Sequence, residues 1–88
     1  MIFGIITPGK LANELGKELN KSPVEKATMM TDHFAKERKM SCTRVLLPTE
    51  PKAYPVTKIL QVWLDNHHFW LYRHGDGDDG EWKIHGSA

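Results

Sequence analysis

The strongest structural signal in this chain of 88 residues lies in residues 56–74, which read Val-Thr-Lys-Ile-Leu-Gln-Val-Trp-Leu-Asp-Asn-His-His-Phe-Trp-Leu-Tyr-Arg-His. Two runs rich in β-branched and aromatic residues flank Asp65-Asn66, and both residue types tolerate the positive φ of a two-residue turn. The pattern therefore predicts an antiparallel β-hairpin. The predicted pairs are Leu64 with His67, Val62 with Phe69, and Leu60 with Leu71.

The two faces of this predicted hairpin differ in composition. Paired residues of neighbouring strands point to the same face of a sheet. One face is aliphatic and suited to packing under helices; it consists of Leu60, Val62, Leu64, Phe69 and Leu71. The other face is aromatic and half polar; its members include Trp63, His68, Trp70, Tyr72 and His74. Side chains that combine a large apolar body with a polar tip are favoured at wet interfaces.

Two helices are predicted before the hairpin. Leucines at 11, 15 and 19 repeat at helical spacing behind Thr7-Pro8, which predicts a helix over about 8–20. Ser22-Pro23-Val24-Glu25 is typical of a capping box, with Ser22 as the N-cap. This motif predicts a second helix over about 23–39.

The remaining segments predict further strands. The apolar run Ile2–Ile6 indicates a strand before the first helix, and Cys42–Leu47 and Glu81–His85 indicate two more. Three prolines in residues 48–55 predict an extended loop. The predicted fold is therefore a two-layer α+β domain: a strand, two helices, then an antiparallel sheet of three to four strands with the helices on one face.

Composition limits the classes of protein that fit. The length allows one domain over residues 1–88. The net charge is only +1, which argues against nucleic-acid binding by bulk electrostatics alone. Cys42 has no cysteine partner, and the first residues lack the basic region of a signal peptide. We therefore expect a soluble cytoplasmic protein that needs no cofactor and has no membrane partner.

The aromatic face admits three interpretations. The loop at 48–55 would cover it, with Tyr54 packed on Trp63 and Trp70, if the domain uses these rings as extra core. A protein partner would cover it if the rings form a binding surface. Single-stranded nucleic acid also stacks on aromatic residues of sheets.

The helix pair allows a second nucleic-acid interpretation. With the hairpin as its wing, the pair resembles part of a winged-helix DNA binder, although the third helix of that arrangement is missing. The candidate phosphate contacts are Lys36, Arg38, Lys39 and Arg44. The first three of these also complement the negative end of the second helix dipole, which is the structural alternative for them.

The sequence supports a catalytic site or a metal site less well than it supports a binding surface. An enzyme of the small metal-independent ribonuclease type would use His68 or His74 as acid or base, Tyr72 to orient, and Arg73 to hold phosphate. Strand alternation, however, predicts Arg73 on the face opposite Tyr72 and His74. The spacing of His67, His68, His74 and His85 matches no zinc pattern, and we predict no metal site.

These observations predict a small interaction module without catalysis, which binds a protein partner through Trp63, His68, Trp70, Tyr72 and His74 and inhibits or regulates it. Nucleic-acid binding and the ribonuclease-like activity are the alternatives. An exposed edge strand, Ile2–Ile6 or Glu81–His85, would also allow a homodimer.

Overall fold

A computed structural model describes residues 8–87 and has the predicted α+β architecture. The elements in chain order are α1 (Pro8–Leu19), a 3-10 turn (Val24–Lys26), α2 (Ala27–Glu37), β1 (Cys42–Pro48), β2 (Val56–Leu64), β3 (His67–His74) and β4 (Glu81–Ser87). The four strands form one antiparallel sheet in the order β1-β2-β3-β4. The predicted strand at Ile2–Ile6 lies outside the described residues.

The hairpin β2–β3 has the predicted register. Leu64 pairs with His67 across the turn, so Asp65-Asn66 is a two-residue connection. Asp65 has a φ of 52°, the left-handed conformation that aspartate tolerates better than most residues. Its Oδ1 accepts hydrogen bonds from the backbone N–H of Ser41 at 2.8 Å and from the Ser41 hydroxyl at 3.0 Å. The turn is therefore tied to the residue that precedes β1.

Both helices pack on the same face of the sheet, and the core lies between the two layers. α1 lies over β3 and β4, whereas α2 lies over β1. The predicted aliphatic face of the hairpin is completely buried there, as are the three leucines of α1. The largest fully buried side chains are Phe34, Phe69, Leu11, Leu15, Leu19, Leu60, Leu64 and Leu71.

β4 completes the core and is joined to α1 by a side chain. Trp82 lies on the helix side of the sheet and is 3% exposed. Asn20, just after α1, donates from Nδ2 to the Trp82 carbonyl at 3.1 Å and accepts from the Trp82 N–H at 2.6 Å. The helix end and the edge strand are thus held together across 62 positions of sequence.

The predicted capping box at the second helix is wrong in detail. Pro23 occupies the N-cap position in place of Ser22, and no side chain caps the helix start. The Ser22 hydroxyl instead donates to the Glu18 carbonyl at 3.5 Å. The first turn is a 3-10 turn, in which the Lys26 N–H bonds the Pro23 carbonyl at 3.0 Å. With Pro23 at the N-cap, Glu25 occupies the second helical position and not the third that a capping box requires.

Candidate interaction surface on the outer sheet face

The side of the sheet away from the helices carries a broad apolar and aromatic surface, which we call the outer face. Its burial follows the strand period: along β3, the residues between the buried Phe69, Leu71 and Arg73 are only partly buried. The apolar, aromatic and amide side chains that share this face include Val45, Leu47, Ile59, Gln61, Trp63, His68, Trp70, Tyr72, His74 and His85.

Three predicted site residues form a continuous stack at one end of the outer face. Trp63 and His68 are register partners on β2 and β3, and their rings lie parallel with centroids 4.3 Å apart and an interplanar angle of 8°. The His68 ring also contacts Trp70, at 4.4 Å and a tilt of 47°. Each ring packs against its neighbour, and all three members of the stack remain partly exposed.

Tyr72 has a partner that the sequence interpretation did not include in the site. Its ring stacks on His85 of β4, with centroids 3.7 Å apart and an interplanar angle of 11°. The alternation of Trp82 and Ile84 with Lys83 and His85 left open which layer β4 would join, and the burial of Trp82 settles it. His74 lies at the far end of β3, opposite Val56 and Glu81, and makes no ring contact with the other described members.

β1 extends the surface with aliphatic side chains that were also missed. Val45 is 38% exposed and Leu47 is 40% exposed, and their register partners on β2 are Gln61 and Ile59. Their alternation with Arg44 and Leu46 in the sequence was the available signal. The outer face is therefore wider than the hairpin alone.

The loop at 48–55 does not cover the aromatic rings, contrary to the first interpretation of this face. Tyr54 is 66% exposed and lines a different hollow, with Thr49 and Asp76. The loop enters β2 at Val56, and a strand rises about 3.3 Å per residue, so Trp63 lies about 23 Å further along the strand. Within residues 8–87, neither helix packs on the outer face.

The residues of the ribonuclease hypothesis do not come together. Arg73 is 4% exposed on the helix side of the sheet, whereas Tyr72 lies on the outer face. The Arg73 guanidinium faces Trp82, at 5.7 Å from the ring centroid, and its Nη2 donates to the Gly77 carbonyl at 2.7 Å. In the part of the chain that the structure describes, no group of three His, Cys, Asp or Glu side chains is placed to hold a metal ion.

The four basic residues of the nucleic-acid hypothesis are not a free patch. Arg38 lies over the Phe34 ring at 3.6 Å and pairs with Glu14 at 3.5 Å. Arg44 pairs with Asp32 at 2.9 Å on the helix side of β1. Lys36 and Lys39 are exposed near the end of α2, where cations complement the helix dipole.

Cys42 lies beside the same ion pair and is a weak nucleophile. Burial raises the pKa of its thiol, and the charge of Asp32 and the hydrogen bond that Sγ donates to Asp32 Oδ1 raise the pKa further. Arg44 opposes this shift and is the smaller influence. Since the thiolate is the reactive form, the thiol is poorly suited to catalysis near neutral pH.

Comparison of the chain with protein-family models, with curated proteins and with solved structures finds no match in any of the three. None of the helices within residues 8–87 has the length and apolarity needed to cross a bilayer. The function is therefore argued from the geometry of the outer face.

Proposed function

We propose that this protein is an interaction module that binds a protein partner through its outer face and thereby inhibits or regulates that partner. The observation that carries the proposal is the Trp63–His68–Trp70 stack on a sheet face that no other described element covers. Tryptophan and tyrosine are the residues most enriched at binding hot spots. Val45 and Leu47 would form an apolar continuation of the same surface.

The charge of the outer face favours a protein over a nucleic acid. Among the side chains that strands β1–β4 direct to this face, Lys83 is the one lysine or arginine, and Glu81 lies on the same strand. Nucleic-acid binding draws its affinity from several cations that neutralise phosphates. A neutral, aromatic surface instead resembles the centre of a protein interface, where charged residues are depleted.

The stacking also favours binding because it orders the surface in advance. Immobilising a flexible side chain on association costs about 0.5–1.5 kcal/mol. The Trp63 and His68 rings are already held parallel, and the Tyr72 and His85 rings likewise. A partner that docks on them therefore meets little additional ordering cost.

The lone Cys42, which has no disulfide partner, suits a reducing compartment such as the cytoplasm.

The test compares Trp63→Ala and Trp70→Ala with a matched control. Tagged wild type and variants are used to capture partners from a lysate of the source cell, and captured proteins are quantified by mass spectrometry. We expect both variants to lose most of a specific partner that the wild type retains. Tyr54→Ala removes an aromatic ring that is 66% exposed away from the outer face, and it should capture the partner like wild type.

Two outcomes would contradict the proposal. If Trp63→Ala and Trp70→Ala unfold in thermal melts, these rings belong to the core and not to a binding surface. If the folded variants capture the same partners as wild type, the outer face does not bind them. A parallel titration with single-stranded oligonucleotides separates the nucleic-acid alternative, which requires binding that weakens steeply with salt.

A further inference from the structure

A small polar cavity lies on the helix side of the molecule, away from the outer face. It has a volume of about 200 Å³ and lies between the turn that follows α1 and the loop that joins β3 to β4. The residues that matter for its chemistry are Lys21, Ser22, Arg73, Gly77, Asp78 and Gly80.

Arg73 brings a buried positive charge to this cavity without a carboxylate to neutralise it. Within residues 8–87 its side chain makes one hydrogen bond, from Nη2 to the Gly77 carbonyl, and its Nε is buried without a partner there. All eleven acidic side chains of the protein fall within the described residues, and none of them forms an ion pair with Arg73. A buried charge is costly unless it is paired, so a site with this arrangement favours an external anion.

The guanidinium is held in place on several sides. A Cβ atom at Gly80 would lie 2.7 Å from both Cζ and Nη2 of Arg73, so the backbone of Gly80 packs directly against the guanidinium. The Trp82 ring lies on another side, 5.7 Å from its centroid to Cζ. A rigid guanidinium is pre-organised to bind oxyanions, because little conformational freedom is lost when the anion arrives.

The opposite wall of the cavity supplies complementary groups. Lys21 contributes a second cation to the lining, and Ser22 lies beside it with its hydroxyl bonded to the Glu18 carbonyl. Asp78 is the one acidic residue of the lining, and it opposes an incoming anion by repulsion. Two cations suit a phosphate group, which carries up to two negative charges, better than a singly charged carboxylate.

We propose that this cavity binds a single phosphate group, either as inorganic phosphate or as the phosphate of a monoester. Arg73 neutralises the charge from the buried side, and Lys21 contributes the second cation from the turn that follows α1. The site lies on the opposite side of the sheet from the outer face, so it is independent of the function proposed above.

The experiment is a titration with inorganic phosphate, followed through backbone amide shifts of the wild-type protein, with sodium chloride at equal ionic strength as the reference. We expect saturable shifts at Ser22, Gly77 and Gly80 that chloride does not produce. Asp78→Asn should bind phosphate more tightly, because it removes the opposing charge. Lys21→Ala should weaken binding by about fivefold, as expected for the loss of one surface charge contact.

Matched controls keep the result interpretable even if substitutions of Arg73 fail to fold. Lys36→Ala removes a lysine at the end of α2, outside the cavity lining, and should bind phosphate like wild type. Trp63→Ala should also bind phosphate normally. The proposal is overturned if phosphate moves the cavity amides no more than chloride does, or if Asp78→Asn and Lys21→Ala leave its affinity unchanged.

A second titration, with phosphoserine, distinguishes the two sources of the phosphate group. Binding equal to that of inorganic phosphate indicates that the cavity accepts a monoester. Binding of inorganic phosphate alone indicates a site for the free ion.

Discussion

At the scale of single residues, the contact between Gly80 and Arg73 shows how one missing side chain allows a charge to be buried. A Cβ at Gly80 would lie 2.3 Å from Arg73 Nε, which is far inside van der Waals contact. The φ of Gly80 is −74°, an ordinary value for any residue. The requirement for glycine here is therefore steric and does not come from backbone strain.

Gly80→Ala should accordingly destabilise the protein by about 1–3 kcal/mol, the usual cost of overpacking a buried site. Chemical denaturation measures the change. Gly9→Ala is the matched control, because a Cβ at Gly9 meets no atom within 4 Å and alanine favours the helix. Equal stabilities for the two variants would show that the guanidinium moves aside without cost.

The thiol of Cys42 offers a second test at this scale, because its pKa is raised by burial and by Asp32. Asp32→Asn removes a negative charge, so we expect the pKa to fall and the rate of alkylation by iodoacetamide to rise at a given pH. The single cysteine makes the readout specific. Glu37→Gln, a carboxylate on the same helix that pairs with His33, should leave the rate unchanged.

The raised pKa of the Cys42 thiol also makes the stability of the fold depend on pH in a defined direction. The folded state holds the thiol proton more tightly than the unfolded state, since its pKa is higher when folded. The resulting stabilisation is present below the unfolded pKa and is lost as the pH rises through the folded pKa. The contribution is therefore complete at neutral pH, and Asp32→Asn should reduce the loss that occurs in alkali.

At the scale of elements, the hairpin turn combines a backbone requirement with a side-chain anchor. Asp65 adopts positive φ, and its carboxylate binds two donors of Ser41. Alanine fits neither role, whereas asparagine tolerates the conformation and keeps an acceptor oxygen. Asp65→Ala should therefore unfold about 1–2 kcal/mol more easily than Asp65→Asn.

Asp65→Gly separates the two contributions in the same denaturation experiment. Glycine relieves the backbone strain but loses the anchor to Ser41, so its stability should fall between those of Asp65→Asn and Asp65→Ala. Equal stabilities for the glycine and alanine variants would assign the whole effect to the lost hydrogen bonds.

The hairpin is also the element that the sequence predicts best, and the reason is local. Turn type and side-chain alternation both act over a few residues, and together they set the register of β2 with β3 and separate Leu60, Val62 and Leu64 from Trp63. The position of α1 follows in the same way from the spacing of its leucines. Local patterns therefore give most of the described fold and most of the outer face.

The features that could not be predicted from the sequence depend on contacts between residues that are distant along the chain. Trp82 is buried in the core and its backbone is bonded to Asn20, which lies 62 positions away. Strand alternation predicted only that Arg73 lies opposite Tyr72, and its burial depends on the packing of Gly80. The stack of His85 on Tyr72 requires β4 to pair with β3, and alternation alone does not set that pairing.

At the scale of the whole molecule, the sheet divides the protein into a side that provides stability and a side proposed to bind. Phe69 is fully buried under the helices, whereas Trp63 is partly exposed on the outer face. Phe69→Ala should cost about 3–5 kcal/mol. That is a large share of the stability of about 4–13 kcal/mol that domains of this length possess.

Trp63→Ala should cost much less, since it mainly loses a ring stack worth about 0.5–1.5 kcal/mol. Thermal melts of both variants measure this asymmetry, with Tyr54→Ala as a neutral reference. A loss of stability for Trp63→Ala as large as that for Phe69→Ala would mean that both sides of the sheet act as core.

The two hydrogen bonds between Asn20 and Trp82 have a consequence for the growth of the sheet. Among the described residues β4 is an edge strand, and Trp82 presents its N–H and C=O on the side away from β3. The Asn20 carboxamide satisfies both groups, as a backbone peptide group of a neighbouring strand would. The Asn20 side chain thus makes the hydrogen bonds that a neighbouring strand would make, and the backbone ladder of the sheet ends there. An edge with unpaired N–H and C=O groups would instead allow other chains to pair with it. Asn20→Ala should therefore convert a terminated sheet into one that polymerises, with light scattering that rises with protein concentration, whereas Asn13→Ala, within α1, should stay dispersed.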